Sequence, residues 1–272
     1  MPVLTPYVHT YDRVDPRLGR IVVHDPRSWN YPLPRRSRPT TRISWARNGK
    51  VFDQGQLGMC TATAGLGLAM TAPFSTGQQY DEFDCQQLYR EETRLDDSEI
   101  PGHWEPTDTG SSGLWLMKAM QARGLIGEYL HAFDLDSALG ALVTGPIAVG
   151  SIWLRGMSTP DRSTGVIPVN KRDRVVGGHE YVIDGYDPAT DMADMTNSWG
   201  TGWSINGRAK IRAADLGWLL SQQGDVVQPT VAAPAPPPPP PAPSDADAAL
   251  VAAFDAFAGQ FTTWRASRPW AV

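Results

Sequence analysis

Cys60 and Cys85 are all the thiol chemistry this 272-residue chain offers, and they stand in unlike surroundings. Cys60 follows a turn-rich loop, Asp53-Gln54-Gly55-Gln56-Leu57-Gly58, and opens a run of small apolar residues, 60–70, closed by Pro73. That pattern predicts a buried helix that begins at the cysteine. Unsatisfied N–H groups and the dipole at a helix start favour an anion, so the Cys60 thiolate is expected to be stabilised and nucleophilic. Gln54, six positions earlier, supplies an amide. Beside the cysteine's own backbone N–H, it can donate to an oxygen on which negative charge develops. A thiol nucleophile also needs a base. Of the five histidines, His179 is set apart by Gly177 and Gly178 before it and an apolar strand, 181–183, after it. This leaves the imidazole at a strand start with little steric cover. Eighteen residues on, Asn197 ends a strand-like run within Asn-Ser-Trp-Gly-Thr-Gly-Trp. An amide there can fix the tautomer and orientation of the imidazole. The set is equipped for nucleophilic attack with oxyanion stabilisation.

The elements that must hold these residues are also visible. Helical patterns cover residues 84–95, 113–123 (stopped by Gly124) and 136–143. Strand-like runs follow at 147–153, 180–186, 192–197 and 208–211, separated by glycine, proline and aspartate turns. Helices first and strands later predict an α+β body in two lobes. Residues 1–44 are rich in proline and arginine, with one β-like run at 20–23. Such a segment cannot build its own core and is expected to wrap on the body as an extended arm, anchored by Trp29 and Tyr31. Residues 228–243 hold nine of the chain's 24 prolines, six of them consecutive. They predict a stiff polyproline spacer about 40 to 50 Å long. Beyond it Ser244 is an N-cap candidate, and Leu250, Phe254, Phe257, Phe261 and Trp264 recur at helical spacing as one aromatic stripe. A stiff spacer suits docking on another protein or self-association better than folding back. The expected division is an arm (1–44), a body (45–227), a linker (228–243) and a C-terminal amphipathic helix (244–272).

With 41% apolar and 19% charged residues, the chain has the composition of a globular protein. Its net charge of -5 hides an asymmetry. Residues 1–50 hold ten Lys or Arg against three Asp, or +7, which leaves -12 for the rest. A basic arm on an acidic body is expected to dock on that body or on an acidic partner, and no motif supports nucleic-acid binding. No run approaches the roughly 20 apolar residues of a membrane helix. The N-terminus lacks the charged and apolar regions of a secretory signal. The expectation is synthesis in the cytoplasm, with incorporation in a phage particle as one destination. His9, His24, His103 and His131 lack metal-ligand spacing, so neither metal nor cofactor is expected.

Taken in order, Gln54-Gly55, Gly58-Met59-Cys60, Gly178-His179 and Asn197-Ser198-Trp199-Gly200-Thr201-Gly202-Trp203 with Asn206-Gly207 resemble the papain-like cysteine peptidases, over about residues 45–226. The short, disulfide-poor character is similar to bacterial and bacteriophage members. The resemblance implies a helical left lobe headed by Cys60, a β-barrel-like right lobe carrying His179 and Asn197, and a substrate cleft between them. It implies a cysteine endopeptidase acting on proteins or peptides, with Cys60 as nucleophile, His179 as base and acid, Asn197 as orienter and Gln54 as oxyanion donor. Trp199 would shield the His179–Asn197 hydrogen bond. Ser112-Gly113 resembles the segment that hydrogen-bonds the substrate backbone near the second pocket, and Gly178 is placed with it as substrate-binding.

Several positions depart from the family pattern. Leu57 stands where many members have a disulfide cysteine, so Cys85 is expected to be free. Thr61 replaces the usual aromatic residue after the nucleophile. Glu180 follows His179 where a small residue is usual, and it would either raise the histidine's pKa or reshape the second pocket. The arm lacks the length and helical pattern of the family's inhibitory propeptide, so zymogen control of that kind is not expected. Two rivals remain. One is a structural or adhesion module of a larger assembly, such as a phage particle, anchored by the C-terminal helix with little or no peptidase activity. The other is a cell-wall amidase, against which the Asn-Ser-Trp-Gly motif argues.

Overall fold

A computed structural model describes residues 7–98, 100–230 and 245–267. In chain order the helices are α1 (Cys60–Ala69), α2 (Glu82–Leu95), α3 (Gly113–Ala122), α4 (Leu135–Ala141), α5 (Ala213–Ser221) and α6 (Asp245–Ala266). The strands are β1 (Tyr7–His9), β2 (Val22–His24), β3 (Ile43–Ser44), β4 (Tyr129–Ala132), β5 (Ile147–Leu154), β6 (Val175–Asp187), β7 (Met192–Thr196), β8 (Arg208–Arg212) and β9 (Asp225–Pro229). The architecture is mixed α+β, as the order of patterns predicts.

Helix α1 is buried at every position, because it is apolar all round and therefore central rather than amphipathic. Gly65 lets α3 approach, since a Cβ there would fall 2.3 Å from Leu116 Cδ1. Helix α2 begins at Glu82, two residues before its expected start. Asp81 caps it by accepting from the N–H groups of Phe83 and Asp84, while Asp84 accepts from the Asp81 N–H.

Seven antiparallel strands form the main sheet, in the order β4-β9-β5-β6-β7-β8, with β3 added along β6. The sheet does not close: among the described residues β4 and β8 are its ends, which corrects the expectation of a barrel-like right lobe. Both faces of its central strands are buried, and side chains alternate between them with period two. Ala148, Val182 and Val227 pack with α1, α2 and α3 in one core. Val149, Tyr181, Ile183 and Val226 join α4 and α5 in the other.

The body extends through Gln228, Pro229 and Thr230, into the segment assigned to the spacer. Gln228 Nε2 donates to the carbonyls of Ala141 and Gly145, both at 2.9 Å, so this residue is stitched into the body. The rest of the spacer, 231–243, and the cap candidate Ser244 lie outside the described residues. Helix α6 belongs to a second compact unit. On it Phe254 and Phe257 are exposed, while the side chains of Leu250 and Phe261 lie outside the described set. Among the described residues, no helix is long and apolar enough to cross a membrane.

Candidate active site

The turn-rich loop before α1 delivers Cys60 as the first residue of the helix. Its side chain is fully buried. The sulfur accepts backbone hydrogen bonds from Glu180 on β6 and from Gly19 in the arm. Burial dominates these bonds and pushes the thiol up to about 12. The helix start predicts a stabilised thiolate, but a helix terminus cannot offset complete loss of water around the sulfur. The covering segment supplies the difference.

His179 lies on β6 next to Glu180, and its Nε2 is 2.7 Å from Asn197 Oδ1. The same oxygen accepts from the Ser198 backbone N–H at 2.8 Å. An atom that accepts from a backbone N–H is the amide oxygen, so Nε2 must be the donor in the bond to it. The imidazole is thus held as the Nε2–H tautomer, and Nδ1, which has no hydrogen-bond partner, keeps its lone pair. Burial lowers the His179 pKa to about 4, while the Asn197 bond opposes this and nearby Arg17 adds to it. Thiol and imidazole are both neutral in this state. Trp199 packs 5.0 Å from the imidazole, ring centre to ring centre, and is itself buried.

Gln54 is bound to the same network. Its backbone N–H donates to the Ser198 carbonyl at 2.9 Å, and its Oε1 accepts from Ser198 Oγ at 2.6 Å. These bonds aim Nε2 away from β7, where it donates to the Leu57 carbonyl at 2.7 Å and the Arg17 carbonyl at 3.0 Å. The Arg17 carbonyl of the arm therefore occupies the amide that the sequence offers as an oxyanion donor.

The arm runs through the cleft itself. Leu18 is fully buried. A Cβ on Gly19 would fall 1.9 Å from the Gly58 oxygen, so the position admits glycine alone. The Arg20 N–H donates to the Gly178 carbonyl at 3.1 Å, the Ile21 N–H to the Ser111 carbonyl at 2.8 Å, and the Ser111 N–H to the Gly19 carbonyl at 3.0 Å. Both pairings are parallel. In this direction the arm presents an N–H, not a carbonyl carbon, to the sulfur. Arg17 stacks over Trp199 at 4.1 Å. Residues 17–21 of the arm thus occupy the cleft.

The basic arm docks on the acidic body, as the charge asymmetry predicts. Arg13 pairs with Asp108, Arg20 with Asp225, Arg38 with Asp136, and Arg42 with Asp187 and Asp194.

Cys60, Gln54, Gly178, His179, Asn197 and Trp199 all border the arm's path or the network beneath it. Ser112 and Gly113 are displaced from the backbone role. The residue that pairs with the arm is Ser111, one position earlier, because Ser112 turns away to cap α3 by accepting from the Trp115 N–H. Gly113 is the first residue of α3. Cys85 is a free, buried thiol of the helical core. Thr61 does not face the cleft: its hydroxyl donates to buried Glu92 at 2.5 Å, and burial holds that carboxyl up at about 8. Glu180 points to the sheet face opposite His179, and the first of its two expected effects does not occur, since burial lowers the imidazole's pKa. Ser111, Ser198, Arg20 and Asp225 were missed by sequence reasoning. Ser198 carried a signal, since it lies within the asparagine motif. Asp225, after Gln223-Gly224, carried none.

The sequence matches no protein-family model and no curated protein. Solved structures do match. Xylellain, a cysteine protease from Xylella fastidiosa, aligns at 18% identity over 82% of this chain and all of its own, with a TM-score of 0.60. The Amb a 11 cysteine protease of ragweed pollen, in its proform, aligns at 18% identity over 72% of this chain and 66% of its own, with a TM-score of 0.53. A Carica candamarcensis cysteine protease, solved in complex with E-64, aligns at 16% identity over 72% of this chain and all of its own, with a TM-score of 0.50. The fold is the papain-like fold. A fold shared at such identities does not define an activity, which must come from the site.

Proposed function

We propose that this protein is a cysteine peptidase that hydrolyses peptide bonds in proteins or peptides. One observation carries the reading: Asn197 and Ser198 lock His179 as the Nε2–H tautomer, with a bare Nδ1, on the residue adjacent to the one whose N–H touches the Cys60 sulfur. Once the arm leaves the cleft, water and substrate replace it. Nδ1 takes the Cys60 proton, and the thiolate attacks the carbonyl carbon of the scissile amide to form a C–S bond. The oxyanion accepts hydrogen bonds from Gln54 Nε2 and the Cys60 backbone N–H. Nδ1–H then protonates the leaving amine as the C–N bond breaks. A water, deprotonated by Nδ1, hydrolyses the thioester and restores the thiol. Asn197 holds the ring through both transfers, and Trp199 keeps water from its bond.

Displacing the arm in the full-length chain by Gly19→Ala and following a fluorogenic peptide tests the reading. Turnover is expected, together with its loss by about 10³-fold or more in added Cys60→Ala or His179→Ala. Absence of turnover with the arm displaced, or activity that survives Cys60→Ala, overturns it.

Exposure of Phe254 (70%) and Phe257 (64%) on one face of α6 favours an accompanying role for that helix in holding a protein partner or a second copy of the chain. Truncation after Ala233, the end of the first compact unit, should then abolish complex formation without altering peptide turnover.

A further inference from the structure

Gly150 on β5 lies opposite Glu180 of β6 on one side and Asp225 of β9 on the other. Two residues away along each strand, the same face carries Ala148, Val182 and Val227, part of the helical core. The face thus changes within one pleat from apolar to a pair of carboxyl groups flanking a glycine. Like-charged neighbours across a sheet are unfavourable, and burying them is costly without a cation. Here both are buried, Glu180 completely.

The two glycines beside them leave a hole. A Cβ on Gly150 would fall 2.6 Å from Glu180 Oε2 and 2.7 Å from Asp225 Oδ1. On Gly113 it would fall 2.8 Å from Asp225 Oδ2 and 3.2 Å from Glu180 Oε1. Arg20 of the arm fills that space. Its guanidinium donates to Asp225 Oδ1 and, at 2.9 Å, to the Gln223 carbonyl. Its Nε lies 4.0 Å from Glu180 Oε2. Among the described residues, no other ion pair reaches Glu180 or Asp225.

The fit is incomplete. Neither Glu180 oxygen has a hydrogen-bond partner, nor do Arg20 Nε and Nη1. The arm enters parallel to Ser111, and from that backbone Arg20 leaves the deeper carboxyl unused. The pocket therefore holds more recognition capacity than its occupant takes. It lies one residue from the cysteine: the Gly19 N–H meets the Cys60 sulfur, and Arg20 is next in the chain.

We infer that Glu180 and Asp225 form a specificity pocket for a basic side chain of the substrate, best an arginine, on the residue adjacent to the one held at Cys60. Arg20 is the pocket's built-in occupant. The planar guanidinium can bond both carboxyl groups at once, which an ammonium cannot match and an apolar side chain forfeits. The inference rests on the peptidase reading for its word "substrate", but the pocket has a test that needs no catalysis.

Arg20→Ala empties the pocket and, combined with Gly19→Ala in the full-length chain, also frees Cys60 for turnover. Peptides differing only at the residue adjacent to the scissile one, arginine against leucine, should then differ in kcat/KM on the order of 10- to 100-fold in favour of arginine. Adding Glu180→Gln and Asp225→Asn should bring that ratio to about one. Should Arg20→Ala prevent folding, Gly19→Ala displaces the arm with Arg20 intact and permits the same comparison. Equal rates for the two peptides, or a preference that survives neutralisation of both carboxyls, overturns the inference. Independently, millimolar agmatine should raise the unfolding temperature of Arg20→Ala by a few degrees, with no such rise in the wild type or after neutralisation. No rise in Arg20→Ala overturns the pocket, whereas absent turnover with an agmatine response overturns the peptidase reading alone.

Discussion

One methyl group at Gly19 tests whether the arm is what silences Cys60. A Cβ there falls 1.9 Å from the Gly58 oxygen and 2.4 Å from its carbonyl carbon. Backbone atoms cannot swing aside as the end of a side chain does, so Gly19→Ala must lift the arm. With the arm in place, burial holds the thiol near 12, which leaves about one molecule in 30,000 as thiolate at a pH of about 7.5. Water at the sulfur returns the thiol to about 8.5, where roughly a tenth is ionised. The thiolate fraction rises about three-thousandfold. Its lower basicity offsets roughly fortyfold of this, given a Brønsted slope of about 0.45. The net gain in alkylation rate is on the order of 10². Timed exposure to iodoacetamide, followed by mass analysis of the Cys60 peptide, measures it. Cys85 serves as the reference, since burial in the helical core holds its thiol well above the ordinary range. Equal Cys60 rates in variant and wild type would refute the reasoning, and a parallel rise at Cys85 would show that the substitution unfolds the body instead.

In the Gly19→Ala chain, Gln54→Ala should lower kcat by about 10²- to 10³-fold, the usual effect of removing one oxyanion donor. Cys60 should still alkylate in that variant, and an unchanged kcat would exclude Gln54 from the oxyanion role. Glu92 gives a pH signature of opposite sign to that of most carboxylates. Folded Glu92 keeps its proton up to about pH 8 against an ordinary value of 4.5. Between those values the folded state binds the extra proton, so Glu92's contribution is full below 4.5 and is lost as pH rises towards 8. The linked change is at most about 5 kcal/mol. Glu92→Gln, which keeps an acceptor for Thr61, should flatten that part of the urea midpoint's pH dependence. An unaltered profile would rule out Glu92 as its source.

Local pattern made much of this molecule legible. The apolar run after Cys60 could only be a central helix, and the β-branched runs that became β5 and β6 had the length and turns of buried strands. Strand β4, only four residues long with intermediate burial at its start, and β9, read as the end of the body, offered too little periodicity. Helix α5 had a signal that went unused, since Leu216, Leu219 and Leu220 recur at helical spacing. The members of the candidate site were nameable because each is tied to a local motif. What could not be read is what crosses the cleft. Helix-start reasoning gave the Cys60 thiol a low pKa, because no local pattern tells that Gly19 and Leu18 will exclude its water. Likewise the partnership of Arg20 with Asp225 spans more than two hundred residues and depends on the register of three strands.

Adjacent residues of β6 point to opposite faces, with His179 on one and Glu180 on the other, and the strand is clamped by β5 and β7 on its two edges. A strand rises about 3.3 Å per residue and cannot stretch. The sheet is therefore a ruler: the interval between the bond that would be cut and the side chain that would be sensed is set by the pleat, not by a loop. Mutations that reshape the pocket can change which side chain is sensed. Changing how far from the cut it is sensed would require β6 to slip, and a slip of one residue would exchange the faces of His179 and Glu180 and abolish both proposed roles together.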